Sequence, residues 1–297
     1  MEQVVGIVGL GIMGGAMARN LLGAGWRVFG VDPHRPSASA LEADGVTVLA
    51  DAGALARAVP LIMTSLATPE ALHATAAAIA GSGTPGRVVV VEASTMALDD
   101  KVTFERTLQA AGHVTLDCPI SGTGSQAIRR DLVVYASGAT AEIDALRPFF
   151  GAFTRAVHDL GAYGNGSRMK FVANLLVAIH NVAAAEAMVL GIKAGLDPHR
   201  IAELVSAGVG TSRVFDLRAP MMADNNYDAA TMKVSVWQKD MAVIAEFAAS
   251  LGAPTPLLNA TVPIYDSAIA AGQGAQDTAS VCAVLERMGG VVRKTAA

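Results

Sequence analysis

The feature that most constrains this chain is a glycine-spaced turn between an apolar run and an Ala/Leu-rich stretch. Val4–Val8 reads as a strand and residues 12–22 as a helix, and Gly9-Leu10-Gly11-Ile12-Met13-Gly14 joins them. In that setting each glycine has a task. Gly9 permits the tight turn, Gly11 lets the backbone approach a pyrophosphate, and Gly14 lets the helix pack on the strand. The helix N-terminus adds unpaired N–H groups and a partial positive charge for phosphates. Asp32 ends the next strand candidate, Arg27–Val31. A carboxylate there accepts hydrogen bonds from the adenine-ribose hydroxyls and repels a 2′-phosphate. A dinucleotide site is therefore expected, with NAD as cofactor. NADP is the alternative: Arg35 lies three residues on and reaches a 2′-phosphate if the loop folds back, its plainer reading being a solvated loop cation.

The same alternation continues. Further strand candidates are residues 61–66, 88–92 and Val114–Asp117, separated by stretches of helical length. Runs such as Val88-Val89-Val90-Val91 suit strands buried on both faces. The pattern predicts an α/β, doubly wound, mostly parallel sheet, which Leu132–Ala136 and residues 156–160 would extend without having to be parallel to it. After Gly161-Ala162-Tyr163-Gly164-Asn165-Gly166 no strand pattern recurs. The domains are set at 1–162 and 163–297, the second all-helical. Residues 167–194 predict one helix of about 28 residues, ~42 Å long. Asp197-Pro198 is an N-cap followed by proline at the first helical position, opening Pro198–Ser206. Further helices are expected at residues 234–251 and 275–288, with Pro254 and Pro256 breaking the chain between them.

Composition narrows the function. Charged residues are only 16% and hydrophobic ones 52% of 297 residues, so an apolar excess is expected to be buried between domains or subunits. A net charge of −4 gives no field for nucleic acid. Two cysteines, Cys118 and Cys282, make no disulfide framework, and no Cys/His cluster has metal spacing. Mean hydropathy is +0.43, but the uncharged stretch 171–185 contains Asn174, His180 and Asn181 and is short of the ~20 apolar residues of a membrane span. With no basic leader at Met1-Glu2-Gln3-Val4, a soluble, cytoplasmic protein is expected.

The run Gly9-Leu10-Gly11-Ile12-Met13-Gly14-Gly15-Ala16-Met17-Ala18-Arg19-Asn20-Leu21 resembles the opening signature of the β-hydroxyacid dehydrogenases, the 3-hydroxyisobutyrate and 6-phosphogluconate dehydrogenase type. The resemblance continues through Asp117-Cys118-Pro119-Ile120-Ser121-Gly122, Lys170 with Asn174, and Lys239-Asp240 before Pro254. It implies a Rossmann-type domain, an all-helical C-terminal domain built on a long interdomain helix, and a homodimer or homotetramer. It also implies roles: Lys170 as the catalytic lysine, Asn174 holding the substrate or the lysine, and Ser121, Gly122 and Thr123 gripping a substrate carboxylate. Leu66, Ala67 and Thr95 would touch the cofactor, and Lys239 would close over cofactor and substrate.

The residues carry an independent argument. Oxidising an alcohol needs a hydride acceptor and a base for the hydroxyl proton. A partly desolvated lysine beside a positively polarised nicotinamide has its pKa pushed towards the working range. Alone, Lys170 also reads as a solvated helix-start cation. Asn174 shares its helix face. Asn181, on nearly the same stripe, reads as a satisfied polar group at a helix interface, and His180 points some 80° away. A Ser/Gly loop after a strand offers a hydroxyl and backbone N–H groups to a carboxylate. Thr123 adds a side chain where the family has a glycine, and Arg129-Arg130 is either an extra anion site or a basic surface turn. Ser94-Thr95 reads as cofactor contact or as a helix cap. Trp237 and Phe215 read as core or cleft wall, and Asp240 as orienting its helix. The expected function is NAD-dependent oxidation of a small 3-hydroxy acid. The alternatives are an NADPH-dependent semialdehyde or imine reductase and a non-catalytic dinucleotide-binding scaffold.

Overall fold

The computed structural model describes residues 2–293. Contacts divide the chain into two compact units, Met1–Lys170 and Phe171–Ala297.

The first unit opens with β1 (Val4–Val8), α1 (Ile12–Gly23), β2 (Arg27–Val31), α2 (Arg35–Ala43), β3 (Thr47–Val48), α3 (Ala52–Ala58), β4 (Leu61–Thr64), α4 (Pro69–Ala80), β5 (Val89–Glu92), α5 (Leu98–Ala110) and β6 (Val114–Asp117). All six strands pair in parallel in the order β3-β2-β1-β4-β5-β6. This is the doubly wound order, and its switch point lies between β1 and β4, where such sheets bind ligands. The apolar runs are continuous because each strand feeds two cores. Val5, Ile7, Met63 and Val91 enter one core, while Val4, Val8, Ile62 and Val90 enter the other. At about 1.5–3 kcal/mol per buried aliphatic side chain, neither face tolerates a polar residue cheaply.

A second segment follows: β7 (Ile120–Ser121), α6 (Gly124–Ile128), β8 (Leu132–Ala136), α7 (Thr140–Ala145), α8 (Arg147–Gly151) and β9 (Thr154–Asp159). Its strands do not extend the parallel sheet as expected. They form a separate three-stranded sheet, β7-β8-β9, antiparallel and then parallel. The two-residue β7, invisible to periodicity, is what gives β8 a partner of its own.

Beyond Asp159 the described residues hold no strand. They form α9 (Asn165–Lys193), α10 (Pro198–Ser206), α11 (Arg213–Asp224), α12 (Val234–Ser250), α13 (Pro256–Ala270), a 3-10 turn (Thr278–Ser280) and α14 (Val281–Gly289). Pro256 starts a helix rather than breaking the chain, since proline at the first position loses no helical bond. Helix α11 carries Pro220 inside it, which masks the helix in the sequence pattern. The helix expected over 275–288 starts later, with the 3-10 turn, because the buried Asp277 caps it through Ala279 N–H (3.0 Å) while accepting N–H bonds from Thr231 (2.8 Å) and Met232 (3.1 Å).

The 29-residue α9 is, by length and composition, apolar enough to cross a membrane, with a mean hydropathy of 1.8 over its most apolar window. In the second unit its Ala178, Val182, Ala185 and Met188 pack instead into a core with Phe215, Met222, Trp237, Ile244 and Tyr265.

Candidate active site

The glycine loop has the geometry a pyrophosphate requires. Gly9 sits at φ +93°, where L side chains are strained, and a Cβ there would run into the Ser65 carbonyl oxygen. A Cβ at Gly14 would strike the carbonyl oxygen of Gly9, so strand and helix approach only because both are bare. At Gly11 a Cβ would meet nothing within 4 Å, which leaves open space beside the α1 N-terminus. No side chain caps that helix end, and Ile12 beside it is exposed, while Leu10 is buried and Met13 half-buried. These residues fit a dinucleotide. Gly14→Ala is expected to weaken dinucleotide binding at least tenfold and to cost about 1–3 kcal/mol of stability, as overpacking does. A cofactor titration and a thermal melt check this, and wild-type values in both would contradict the close approach.

Asp32 is half-buried and already engaged. Its Oδ2 accepts from Leu10 N–H (2.6 Å) and its Oδ1 from His34 N–H (2.7 Å). The carboxylate thus ties β2 to the glycine loop. The Arg35 side chain lies outside the described residues.

The C-terminal ends of β4 and β5 carry the other expected cofactor contacts. Leu66 and Thr95 are half-buried and Ala67 is exposed. The Leu66 N–H donates to Ser94 Oγ (2.8 Å), so Ser94 pins one loop to the other. Beneath these loops lies a cluster the sequence did not point to. Lys101 on α5 contacts both Glu92 and Asp117, and all three side chains are fully buried. Burial opposes the charge on Lys101, but Asp117 and Glu92 outweigh it and hold the ammonium above the ordinary lysine range. Asp117 also reaches α9, accepting from Ser167 N–H (2.7 Å) and Ser167 Oγ–H (2.8 Å). Three residues further, Lys170 is 8% exposed. The lysine and the glycine loop belong to the same unit.

Ser121, the last residue of β7, and Gly122 and Thr123 after it are half-buried. Gly122, at φ +144°, packs its backbone against Leu132. Thr123 is spent locally: Gln126 Oε1 accepts from its N–H (3.1 Å) and its hydroxyl pairs with Ser125 (3.0 Å) at the start of α6. Arg129 and Arg130 form an exposed turn, with Arg130 at φ 58°.

In the second unit Asn174, one turn beyond Lys170 on α9, is buried and donates to Asp240 Oδ2 (3.2 Å). Asp240 in turn pairs with Lys239 (3.1 Å). Asp240 is therefore a buried acceptor joined to Asn174 rather than only an organiser of its own helix. Asn181 donates to Tyr265 (2.9 Å) and to the Thr278 carbonyl (2.9 Å), and Trp237 and Phe215 are core. His180 lines a cavity of about 180 Å³ with Ala183, Thr211, Ser212 and Phe215. Both cysteines are buried; burial and then Glu286 push the Cys282 thiol up to about 11, and burial lifts Cys118 well above its ordinary range. Neither offers a thiolate nucleophile near neutral pH. Among the described residues no group of three His, Cys, Asp or Glu side chains could hold a metal.

Residues 4–161 match the family model of the NAD binding domain of 6-phosphogluconate dehydrogenase. Residues 164–285 match the model described as NAD-binding of NADP-dependent 3-hydroxyisobutyrate dehydrogenase. An L-threonate dehydrogenase of Cupriavidus necator is 30% identical over 286 residues, covering 95% of each chain. A crystal structure of 3-hydroxyisobutyrate dehydrogenase from Salmonella typhimurium has a TM-score of 0.86 at 30% identity, over 95% of this chain and 99% of that one. A structure described as Psf3 in complex with NADP+ and 2-OPP has a TM-score of 0.85 at 25% identity, again over 95% and 99%. With the glycine loop, these matches make the cofactor a nicotinamide dinucleotide. The chain belongs to the β-hydroxyacid dehydrogenase family, the family of 3-hydroxyisobutyrate dehydrogenase, and is an oxidoreductase of the 3-hydroxyacid type.

Proposed function

We propose that the protein oxidises a small 3-hydroxy acid, of the 3-hydroxyisobutyrate, threonate or glycerate type, to its semialdehyde or 3-keto acid, with NAD as cofactor and Lys170 as general acid–base. The observation that carries this reading is a buried lysine early on α9, in the same unit as the glycine loop. When bound, the nicotinamide ring supplies the acceptor for the hydride leaving the hydroxyl-bearing carbon. The chain's own groups do the rest. Lys170 Nζ takes the hydroxyl proton during oxidation and returns it to the carbonyl oxygen during reduction. Its ammonium form polarises that oxygen. The Ser121 hydroxyl and the Gly122 N–H bind the carboxylate, while the Thr123 N–H, engaged by Gln126, holds the loop they stand on. The family resemblance assigns Asn174 to the substrate or the lysine and Lys239 to the cofactor and substrate.

One observation favours a second reading. Both oxygens of Asp32 already accept backbone N–H bonds, which leaves less capacity for the ribose hydroxyls. An NADPH-dependent reductase of a semialdehyde or imine follows if the 2′-phosphate is accepted. A panel of 3-hydroxy acids, each assayed with NAD and with NADP, separates the two. The expected result is NAD favoured at least tenfold in kcat/KM, the equivalent of about 1.4 kcal/mol. The opposite ratio selects the second reading. No turnover of any acid or semialdehyde on the panel, with dinucleotide binding intact, would overturn both readings of the substrate.

We also place the enzyme in the cytoplasm as a homodimer or homotetramer, with neither nucleic acid nor membrane as partner. Large apolar side chains left exposed in the second unit, among them Leu190, Leu196, Leu204 and Val209, support association with a further copy.

A further inference from the structure

Three strand ends lie in register along the C-terminal edge of the parallel sheet: Thr64 pairs with Glu92, and Glu92 with Asp117. Their side chains form a continuous polar row. Thr64 Oγ1–H donates to Glu92 Oε1 (3.3 Å), which also accepts from Ser94 N–H (2.9 Å). Ser94 Oγ accepts in turn from Leu66 N–H. Lys101 bridges Glu92 to Asp117, and Asp117 takes both polar hydrogens of Ser167. Ser137 Oγ, itself bonded to Asp117, accepts from Gly166 N–H (2.9 Å). Gly166 is bare because a Cβ would strike the carbonyl oxygens of Tyr135 and Asp117.

The first N–H groups of a helix need partners from outside it. A local Ser or Asp usually supplies one from the same chain segment. Here the acceptor comes from β6, fifty residues earlier, and is the carboxylate paired with Lys101, which suits the helix dipole. The start of α9 is therefore fixed relative to the strand ends that bear Leu66, Ser94 and Thr95, and not merely capped. Its direction is fixed as well, because two bonds converge on one carboxylate from a single residue.

We infer that Ser167 and Asp117, with Lys101 and Glu92 behind them, are positioning residues that hold Lys170 at its working distance from the cofactor loops, which rests on the assignment of Lys170 as the acid–base group. Lys170 follows Ser167 by three residues on the same helix face. A displacement of the helix start is carried directly to its Nζ, and catalysis is steeply sensitive to shifts of this kind.

The test uses the full chain with NAD and the best 3-hydroxy acid. Ser167→Ala removes one of the two bonds to Asp117. It is expected to lower kcat about tenfold and to leave the dinucleotide Kd within about twofold. Added to Lys170→Met, it should cause no further loss in the residual rate, because both act on one step. Asp117→Asn keeps the shape but loses the charge; it should show the same pattern more strongly, and it carries the test if Ser167→Ala fails to fold. A wild-type kcat in folded Ser167→Ala overturns the assignment, as does a full tenfold loss that persists beside Lys170→Met. Wild-type turnover in Lys170→Met would instead remove Lys170 from the chemistry. A collapsed Lys170→Met beside a neutral Ser167→Ala would leave Lys170 standing and remove only the positioning role.

Discussion

Lys170→Ala is expected to lower kcat by about 10²–10⁴-fold, the usual worth of a positioned acid–base, while the dinucleotide Kd stays within about threefold of wild type. The separation follows from where the two functions reside. Pyrophosphate binding belongs to the β1–α1 turn, whose open space at Gly11 and close contacts at Gly9 and Gly14 owe nothing to α9. On the proposed mechanism, proton transfer belongs to one amine, that of Lys170. Lys170→Arg sharpens the test. A guanidinium keeps the positive charge but does not release its proton near neutrality, so it retains polarisation and loses the base. It should therefore be about as poor as alanine in the oxidative direction. Steady-state kinetics with a cofactor titration reads both quantities, and wild-type turnover in either variant would take Lys170 out of the mechanism.

How much was legible in the sequence depends on where the physical constraint was local. The glycine loop was readable because each glycine answers a steric demand within a few residues of itself. The parallel strands were readable because burial on both faces leaves continuous apolar runs. The separate sheet β7-β8-β9 was not, because its first strand is two residues long and has no period. Helices α11 and α13 were hidden by Pro220 and Pro263, whose cost is offset by packing in a core that only the fold assembles. Lys170 was legible through the family resemblance, since alone it reads as a solvated helix-start cation, and Asn174 through its place on the same helix face. Lys101 was not: it directly follows Asp99-Asp100, and no local pattern marks it. A signal was nevertheless present, since Glu92 and Asp117 each end a strand of the buried type, and a carboxylate there needs a counter-charge. Asp240 shows the same limit. Beside Lys239 it looks like a surface ion pair, and only tertiary structure sets it against Asn174.

That counter-charge leads to the largest stability effect expected. Lys101→Met keeps most of the side-chain volume and removes the ammonium, leaving Glu92 and Asp117 buried without compensation. Breaking a buried pair in this way costs about 3–5 kcal/mol, far more than an exposed ion pair would. The pH dependence has a definite sign. Lys101 is held above the ordinary lysine range, so its stabilising effect is fully present below that range and is lost only as the pH rises through the still higher folded value. Between pH 5 and 9 this lysine should therefore add no slope to wild-type stability. In Lys101→Met the penalty should shrink as the pH falls, since one of two facing carboxyls can then enter the fold neutral. The triple variant Lys101→Met, Glu92→Gln, Asp117→Asn should recover part of the loss, because the cost is that of unpaired charge rather than of a cavity. Denaturant unfolding followed across pH distinguishes these cases. A loss below about 1 kcal/mol in the single variant would mean that Lys101 compensates nothing, and equal losses in the single and triple variants would assign the cost to packing.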